Sequence, residues 1–492
     1  MGGQRTDQNN SNQITEKNHM RHFLLCTAIV LATVSFAQNS FFQSYLTDYY
    51  ETGFDIISLD NGNLLISGRT MDPPMDQYQF LRFTDADGNE ISTSYLHSEN
   101  AKNKHLLCQD YDNSILILRD STINDTTHMI ITKINQEGQI LNTHILTPGF
   151  GHGIYKDGDD GYFVLGKKAE NGNNTYIIKA DDSFSVSWAK EFYPTNEEFQ
   201  ITTPKSAIVL NDELFVSGIY IGEATYGYDR KTYILNVSNN GDSLNCLNLN
   251  EKYFQYYSTI IPSSDGNILT TGYYGDFISS DTGSILKISP NLEILWENTF
   301  YADYGLLCND LIETSDGGII ICGGQLRMDV SRSNLMLKKV NSEGEEIWHN
   351  TFESGYDITA YDIALTQDGS ILCTGLTHDS ELSDRDMSFI IKTDSEGNLS
   401  GINNQPVLNK KIEISPNPAS EKCAVLIHDI HGSSVTISVY NNSGQKVIEH
   451  NISEVQELLF SKTLELNNLN PGIYFIQISI DGIRETRKLV VN

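Results

Sequence analysis

The stretch TSDGGIIICGG, residues 314–324, has the glycine content of a loop that cradles phosphate. That chemistry needs a lysine and a hydroxyl side chain directly after the last glycine, opening a helix. Gln325 and Leu326 stand there instead. Other reactive residues are no better spaced. The twelve histidines form no HxH or HExxH pair, and no GxSxG elbow presents a nucleophilic serine. Beyond Cys26, the cysteines Cys108, Cys246, Cys308, Cys322, Cys373 and Cys423 make no CxxC or zinc-type pattern. Cys322 and Cys373 fall in apolar runs, where buried free thiols belong. The acidic runs DADGNE, 85–90, and DGDDG, 157–161, look like pieces of calcium loops. A helix-flanked calcium loop, however, runs to about twelve residues and ends in a bidentate glutamate, and neither run is built so. No metal or cofactor is implied. DADGNE stands where NQEGQ and NSEGE stand elsewhere in the chain, which marks it as a hairpin turn.

The 314–324 stretch recurs too. Its relatives close at Gly68, Gly166, Gly218, Gly272 and Gly375, and a degenerate copy has Arg119 in the glycine's place; with Gly323 the anchors are spaced by 51, 47, 52, 54, 51 and 52 residues. A period near 50 marks an array of supersecondary units. One unit, 309–352, reads as four strands separated by Asp-Gly and Ser-Glu-Gly turns and one long polar loop. Such a four-stranded antiparallel unit is a β-propeller blade. The three tryptophans each follow a lysine by nine residues, as Lys179 and Trp188, Lys287 and Trp296, and Lys339 and Trp348. That spacing registers the third strand against the fourth and places the indoles between neighbouring blades.

Seven first strands begin near Phe54, Lys104, Gly151, Lys205, Tyr256, Asn309 and Thr359. The seventh unit runs out at SFIIKTDSEGNLSG with no fourth strand, whereas SFFQSYLT, 40–47, is a fourth-type strand with no unit before it. The expected fold is all-β: a seven-bladed β-propeller over 38–401, closed by its N-terminal strand so that no stack edge is left open. A linker over 402–411 then leads to a small immunoglobulin-like β-sandwich over 412–492, where Val435, Ile437 and Val439 alternate to give one apolar face.

A length of 492 residues suits a large repeat domain with a smaller one. The net charge of −31 excludes a nucleic-acid partner, because phosphate contacts need clustered Lys and Arg. Residues 20–38 have a basic start at Arg21, an apolar run from Phe23 to Val34, and Ser35 and Ala37 bracketing Phe36. That is the plan of a signal peptide cleaved after Ala37, with Met20 competing with Met1 as the start of translation. No segment is long and apolar enough to be read as a transmembrane helix.

The motifs ISPNPAS at 414–420, VYNNSGQKV at 439–447, LNPGIYFIQI at 469–478 and the terminal TRKLVVN together resemble the type A sorting domain of the type IX secretion system. The resemblance covers the last 81 residues. It implies passage to the periplasm and through the outer membrane, then removal of the domain by a sortase-like peptidase with attachment to the outer surface. It assigns Pro416, Asn417 and Pro418 to the opening motif, Gly444 to the hairpin, and Pro471, Gly472 and Tyr474 to the turn and strand. Ser415 stands where that family often has Tyr. The repeats over 40–401 resemble, more loosely, the DGG propeller-like repeats found upstream of such domains, which implies a fold and no particular chemistry.

With no catalytic motif in view, a binding or adhesion module is the leading expectation, with a propeller hydrolase or lyase acting on polysaccharide or peptide, or an inert scaffold, as alternatives. Converging carboxylates and histidine in a central pocket would favour the enzyme, and an open aromatic face the binder. Tyrosines gather in the long connections around the fourth and fifth blades. Tyr220, Tyr226, Tyr228, Tyr253, Tyr256, Tyr257, Tyr273 and Tyr274, with Asp229, Asp276 and Asp281, are the candidate site for an extracellular glycan or peptide, since rigid aromatics with a polar tip suit both.

Overall fold

The computed structural model describes residues 40–47, 49–72, 76–98, 106–158, 161–170, 174–192, 199–224, 227–249, 255–274, 282–302, 304–326, 333–352, 357–378, 385–399, 412–428, 434–441, 445–452, 455, 459–480 and 483–492; at 72, 76–77, 199–200, 222–224, 227–230, 255–256, 258, 413 and 483–486 it describes the backbone alone. Among these residues there are strands and turns and no helix. Six four-stranded antiparallel sheets follow one another over 50–97, 107–148, 150–192, 199–249, 255–300 and 306–352, each hydrogen-bonded in chain order. A seventh consists of Asp357–Leu365, Ile371–His378, Asp386–Thr393 and, as its outer strand, Phe41–Tyr45 from the start of the chain. Phe41 lies opposite Lys392 and Tyr45 opposite Ser388.

Inner and outer strands are buried differently, and the sequence pattern follows. Ser333–Val340, a central strand, is buried at every residue, whereas the outer strand Glu346–Phe352 is nowhere fully buried. A strand covered on both faces reads as a continuous run, and one covered on a single face alternates. Seven apolar clusters are each shared by two neighbouring sheets, and one of them joins the seventh to the first through Tyr45, Ile56, Ile66, Phe80, Leu372 and Ile390. The fold is all-β and propeller-like.

The repeated glycines answer to this packing. The first strand carries a bulge in six of the seven sheets, at 53/55, 151/153, 204/206, 257/259, 308/310 and 360/362. The anchor glycine lies opposite it: a Cβ on Gly166 would stand 2.5 Å from the Phe150 carbonyl oxygen, and one on Gly218 would stand 2.7 Å from that of Thr203. In the second sheet the first strand is the short Leu107–Gln109, and there Arg119 is accommodated.

Lys179, Lys287 and Lys339 lie directly opposite Trp188, Trp296 and Trp348, which is what the nine-residue spacing encodes. Each indole packs against the last turn of the next sheet, Trp188 at Gly241, Trp296 at Gly344 and Trp348 at Gly397. Phe41 fills the same place for the seventh sheet, facing Lys392 and packing on Gly88.

Beyond these, Ile412–Ser415, Lys422–His428 and Leu459–Glu465 form a three-stranded sheet, and Lys446–Ile452, Val435–Asn441, Gly472–Ile480 and Ile483–Val491 a four-stranded one. The two share one apolar core, including Val425, Ile427, Val435, Ile437, Val439, Leu464, Ile476 and Leu489.

Candidate functional site

The glycine-rich stretch is a structural turn. Asp316 accepts bonds from the Gly318 amide at 3.1 Å and from the Thr314 hydroxyl through one oxygen, and meets Lys339 Nζ at 2.7 Å with the other. The bond from Lys339, then that from Thr314, holds the carboxyl well below its usual range. The same bridge recurs as Lys179 to Asp157 at 2.6 Å, Lys287 to Asp265 at 2.6 Å and Lys133 to Asp110 and Asp112 at 2.5 and 2.8 Å. In DADGNE, Asp85 Oδ1 accepts the amides of Asp87 and Asn89, and Asn135 does the same for Glu137 and Gln139 in the next sheet. An uncharged residue serves equally, so the carboxylate here caps a turn. Among the described residues no three His, Cys, Asp or Glu side chains are grouped to hold a metal.

First strands of several sheets line two cavities. One, of about 310 Å³, is bordered by Asp55, Ile56, Thr259, Asp310, Leu311 and Asp362; the other, of about 350 Å³, by Leu107, Cys108, Ile154, Tyr155, Ile208 and Pro262. Three carboxylates border the first of these spaces, but each is engaged in holding backbone. Asp362 accepts the Ile56 amide at 2.7 Å, Asp55 the Leu106 amide at 3.0 Å, and Asp310 the amide of Leu311 at 2.9 Å. The first two bonds tie consecutive sheets together. His152, at a bulge, is buried; burial, then Lys205 and Lys167, push its imidazole down to about 3, so it is neutral at ordinary pH.

Of the tyrosine cluster, Tyr226, Tyr253, Asp276 and Asp281 lie outside the described residues. Tyr228, Asp229 and Tyr256 have a described backbone, paired with Glu223, Gly222 and Tyr273. Tyr273 and Tyr274 are half-buried at the end of Ile268–Tyr274, with Tyr256 opposite the first and Gln255 opposite the second. Two members are core residues, and here the expectation needs correcting. Tyr257 is 1% exposed and donates to Ser284 Oγ at 3.0 Å, wedged between the fourth and fifth sheets. Tyr220 is 4% exposed, with its ring 4.9 Å from that of Tyr233.

Tyr220 nevertheless borders a groove between the third and fourth sheets, a space of about 620 Å³. Lys190, Glu191 and Phe192 form one wall, Asp242, Ser243 and Cys246 the other, and Thr175, Thr202 and Tyr233 line it as well. Thr202 Oγ1 accepts the Thr175 amide at 2.7 Å, and the Thr175 and Tyr233 hydroxyls are bonded. Sequence reasoning passed over this groove, because its walls come from strands about fifty positions apart that carry no motif.

In the C-terminal unit the peptide bonds preceding Pro416 and Pro418 are cis. Asn417 sits between them and clasps the last strand, donating from Nδ2 to the Lys488 carbonyl at 2.8 Å and accepting the Val490 amide at 2.9 Å. Tyr474 is buried and donates to the Asn470 carbonyl at 2.9 Å, closing the turn that holds the exposed Pro471 and Gly472. Gly444 lies outside the described residues.

Sheet order and motif geometry thus define an all-β propeller-like chain with two further sheets at its C-terminal end. Residues 413–492 match the family described as the secretion system C-terminal sorting domain, which agrees with the resemblance carried by the motifs and implies export to the cell surface or the medium. Among solved structures the chain is similar to PorZ, an essential bacterial surface component of the type IX secretion system of Porphyromonas gingivalis, at 9% identity over 88% of this chain and 69% of that one, TM-score 0.32. It is similar to the β-propeller domain of the Trilobed protease from Pyrococcus furiosus at 11% identity, 75% and 100% coverage, TM-score 0.43. For an acylaminoacyl peptidase of Pyrococcus horikoshii the values are 11%, 78% and 59%, and 0.41. No curated protein matches the chain.

Proposed function

We propose that this chain is an extracellular binding module carried out of the cell by its sorting domain. Residues 1–37 are a leader removed on export, 38–401 a closed seven-bladed propeller, 402–411 a linker, and 412–492 an immunoglobulin-like sorting domain released by a sortase-like peptidase of the type IX machinery at the outer membrane. Closure of the ring is supported by the seven inter-sheet clusters, since an open stack of seven sheets has six interfaces. Processing is tested by mass spectrometry of the surface-released protein, whose C-terminus is expected between about Gly401 and Ser415. Intact protein ending at Asn492 on the surface overturns it.

The ligand is an extracellular glycan or peptide held by the fourth and fifth sheets at the end where Tyr273 and Tyr274 lie. The observation that carries this is the placing of Tyr273 opposite Tyr256, with Tyr274 beside it, at one end of the fifth sheet. Tyr226, Tyr228, Asp229, Tyr253, Asp276 and Asp281 belong to the same region of the chain. Replacing Tyr226, Tyr228, Tyr273 and Tyr274 by Ala is expected to abolish binding in a glycan and peptide array while leaving thermal unfolding unchanged. A variant that binds normally moves the site elsewhere.

A further inference from the structure

The groove between the third and fourth sheets has ligand dimensions: its floor is the apolar core the two sheets share, with Tyr220, Tyr233 and Leu235, and its rim carries Glu191, Phe192, Asp242 and Ser243. Its volume of about 620 Å³ falls within the usual range for small-ligand sites. Its charged groups are already neutralised. Lys190 Nζ is held by the Asn240 carbonyl at 3.0 Å and the Asp242 carboxylate at 3.2 Å, and Glu191 meets Lys168 at 2.5 Å. An acidic or basic occupant would have to break one of these pairs. What an occupant meets is the half-buried ring of Phe192, the exposed Ser243 and the carboxylates of Asp242 and Glu191 at the mouth. A ring to lie against, with fixed acceptors beside it, is the chemistry that recognises hydroxyl-rich, uncharged rings.

We propose that this groove binds a short neutral oligosaccharide, with Phe192 against a sugar ring, the carboxylates of Asp242 and Glu191 accepting from its hydroxyls and Ser243 bonding to them. Its lining includes neither Tyr273 nor Tyr274, so the two sites can fail independently.

Two half-buried thiols make the test specific. Cys246 lines the groove and Cys108 lines a cavity of the first strands, whereas the other described cysteines are buried. Burial raises both thiols, Cys108 to about 11, so modification by methyl methanethiosulfonate is followed at alkaline pH. The full chain is labelled in the presence of cello-, malto-, manno- and chito-oligosaccharides, an oligogalacturonate and an extended peptide. At least one neutral sugar is expected to slow Cys246 modification by about tenfold at saturating concentration while leaving Cys108 unchanged. Ser243→Trp, at the exposed rim, and Cys246→Trp, inside, are each expected to weaken binding of that sugar by about tenfold or more without lowering thermal stability in the case of Ser243→Trp. The proposal is overturned if no neutral sugar protects Cys246, if only the oligogalacturonate or the peptide does, if Cys108 is protected equally, or if Ser243→Trp binds normally. Sugar binding that leaves Cys246 unprotected sinks the groove and keeps the reading at Tyr273 and Tyr274.

Discussion

Gly317 and Gly344 have nearly the same backbone, φ +76° and +79°, in the first and third connections of the sixth sheet, yet their surroundings differ. A Cβ on Gly317 meets nothing within 4 Å, while one on Gly344 would lie 2.7 Å from the Trp296 ring. Gly317→Ala is expected to cost only the left-handed strain, about 1–2 kcal/mol. Gly344→Ala adds overpacking and is expected to cost about 3 kcal/mol or more, a difference that urea titration of both variants resolves. The turn carboxylates supply a second test at this scale. Bonds from Lys133, then Ser114, hold Asp112 at about 2, below its ordinary 3.8. At Asp265 burial opposes ionisation, but bonds from Lys287, Asn267 and Ser263 together outweigh it, again giving about 2. A depressed carboxylate contributes stability above its unfolded pKa and loses it as pH falls through the folded one. Thermal stability is therefore expected to decline between about pH 4 and pH 2, and a variant with Asp112, Asp265 and Asp316 changed to Asn to show a shallower decline. An equal slope would mean that these bridges contribute nothing. The sequence displayed the Lys and Trp spacing because both belong to one hairpin, but it concealed the lysine's real partner. That partner is the aspartate of the preceding turn, across a third strand.

Between elements, the junction of the seventh sheet with the first carries a buried charge cluster. Arg82 is fully buried, with Nη1 2.8 Å from Glu51 and 2.7 Å from Ser388 Oγ, Nε 3.0 Å from Glu90, and the guanidinium 4.4 Å from the centre of the Tyr45 ring. Tyr45 belongs to the N-terminal strand, so one side chain gathers three parts of the closure. Arg82→Ala leaves Glu51 buried without its partner and is expected to cost about 3–5 kcal/mol, whereas Arg82→Met with Glu51→Leu recovers most of that loss. Denaturant unfolding of the three proteins separates an ion pair that matters from one that only fills space. Deleting 38–47 removes Tyr45 and the outer strand together, and is expected to lower the melting temperature of the whole array in one cooperative step; a synthetic peptide of those residues should restore it. An unchanged melting temperature would mean that the seventh sheet stands without its fourth strand. The need for that strand could be read from the sequence as a surplus strand at one end and a missing one at the other. The cluster could not, because Arg82 and Ser388 are 306 positions apart.

At the scale of the whole molecule, the apolar core of 412–492 is composed, among the described residues, of that segment's own side chains. Residues 38–401 are accordingly expected to melt at the same temperature with or without the sorting domain, while export is lost without it; calorimetry and cell fractionation of the truncated chain check the two halves of this statement. The tyrosine site was only partly legible, since composition finds tyrosines in connections but does not separate Tyr257, which wedges two sheets, from Tyr273 at a strand end. The seventh sheet has one further property. Its last turn, 394–398, is formed with the bonds of the others, Asp394 Oδ1 accepting the amides of Glu396 at 3.0 Å and Asn398 at 2.7 Å. The strand that completes the sheet nevertheless comes from the far end of the chain. Because Phe41 faces Lys392 as Trp348 faces Lys339, Leu399 and Ser40 fall on consecutive positions of a single hairpin. Splicing Leu399 to Ser40 would turn the seventh unit into an ordinary one, and the chain could then be cut at any other connection between sheets. The array has no intrinsic beginning: circular permutants opened at different connections would share one set of interfaces and differ only in where their ends emerge.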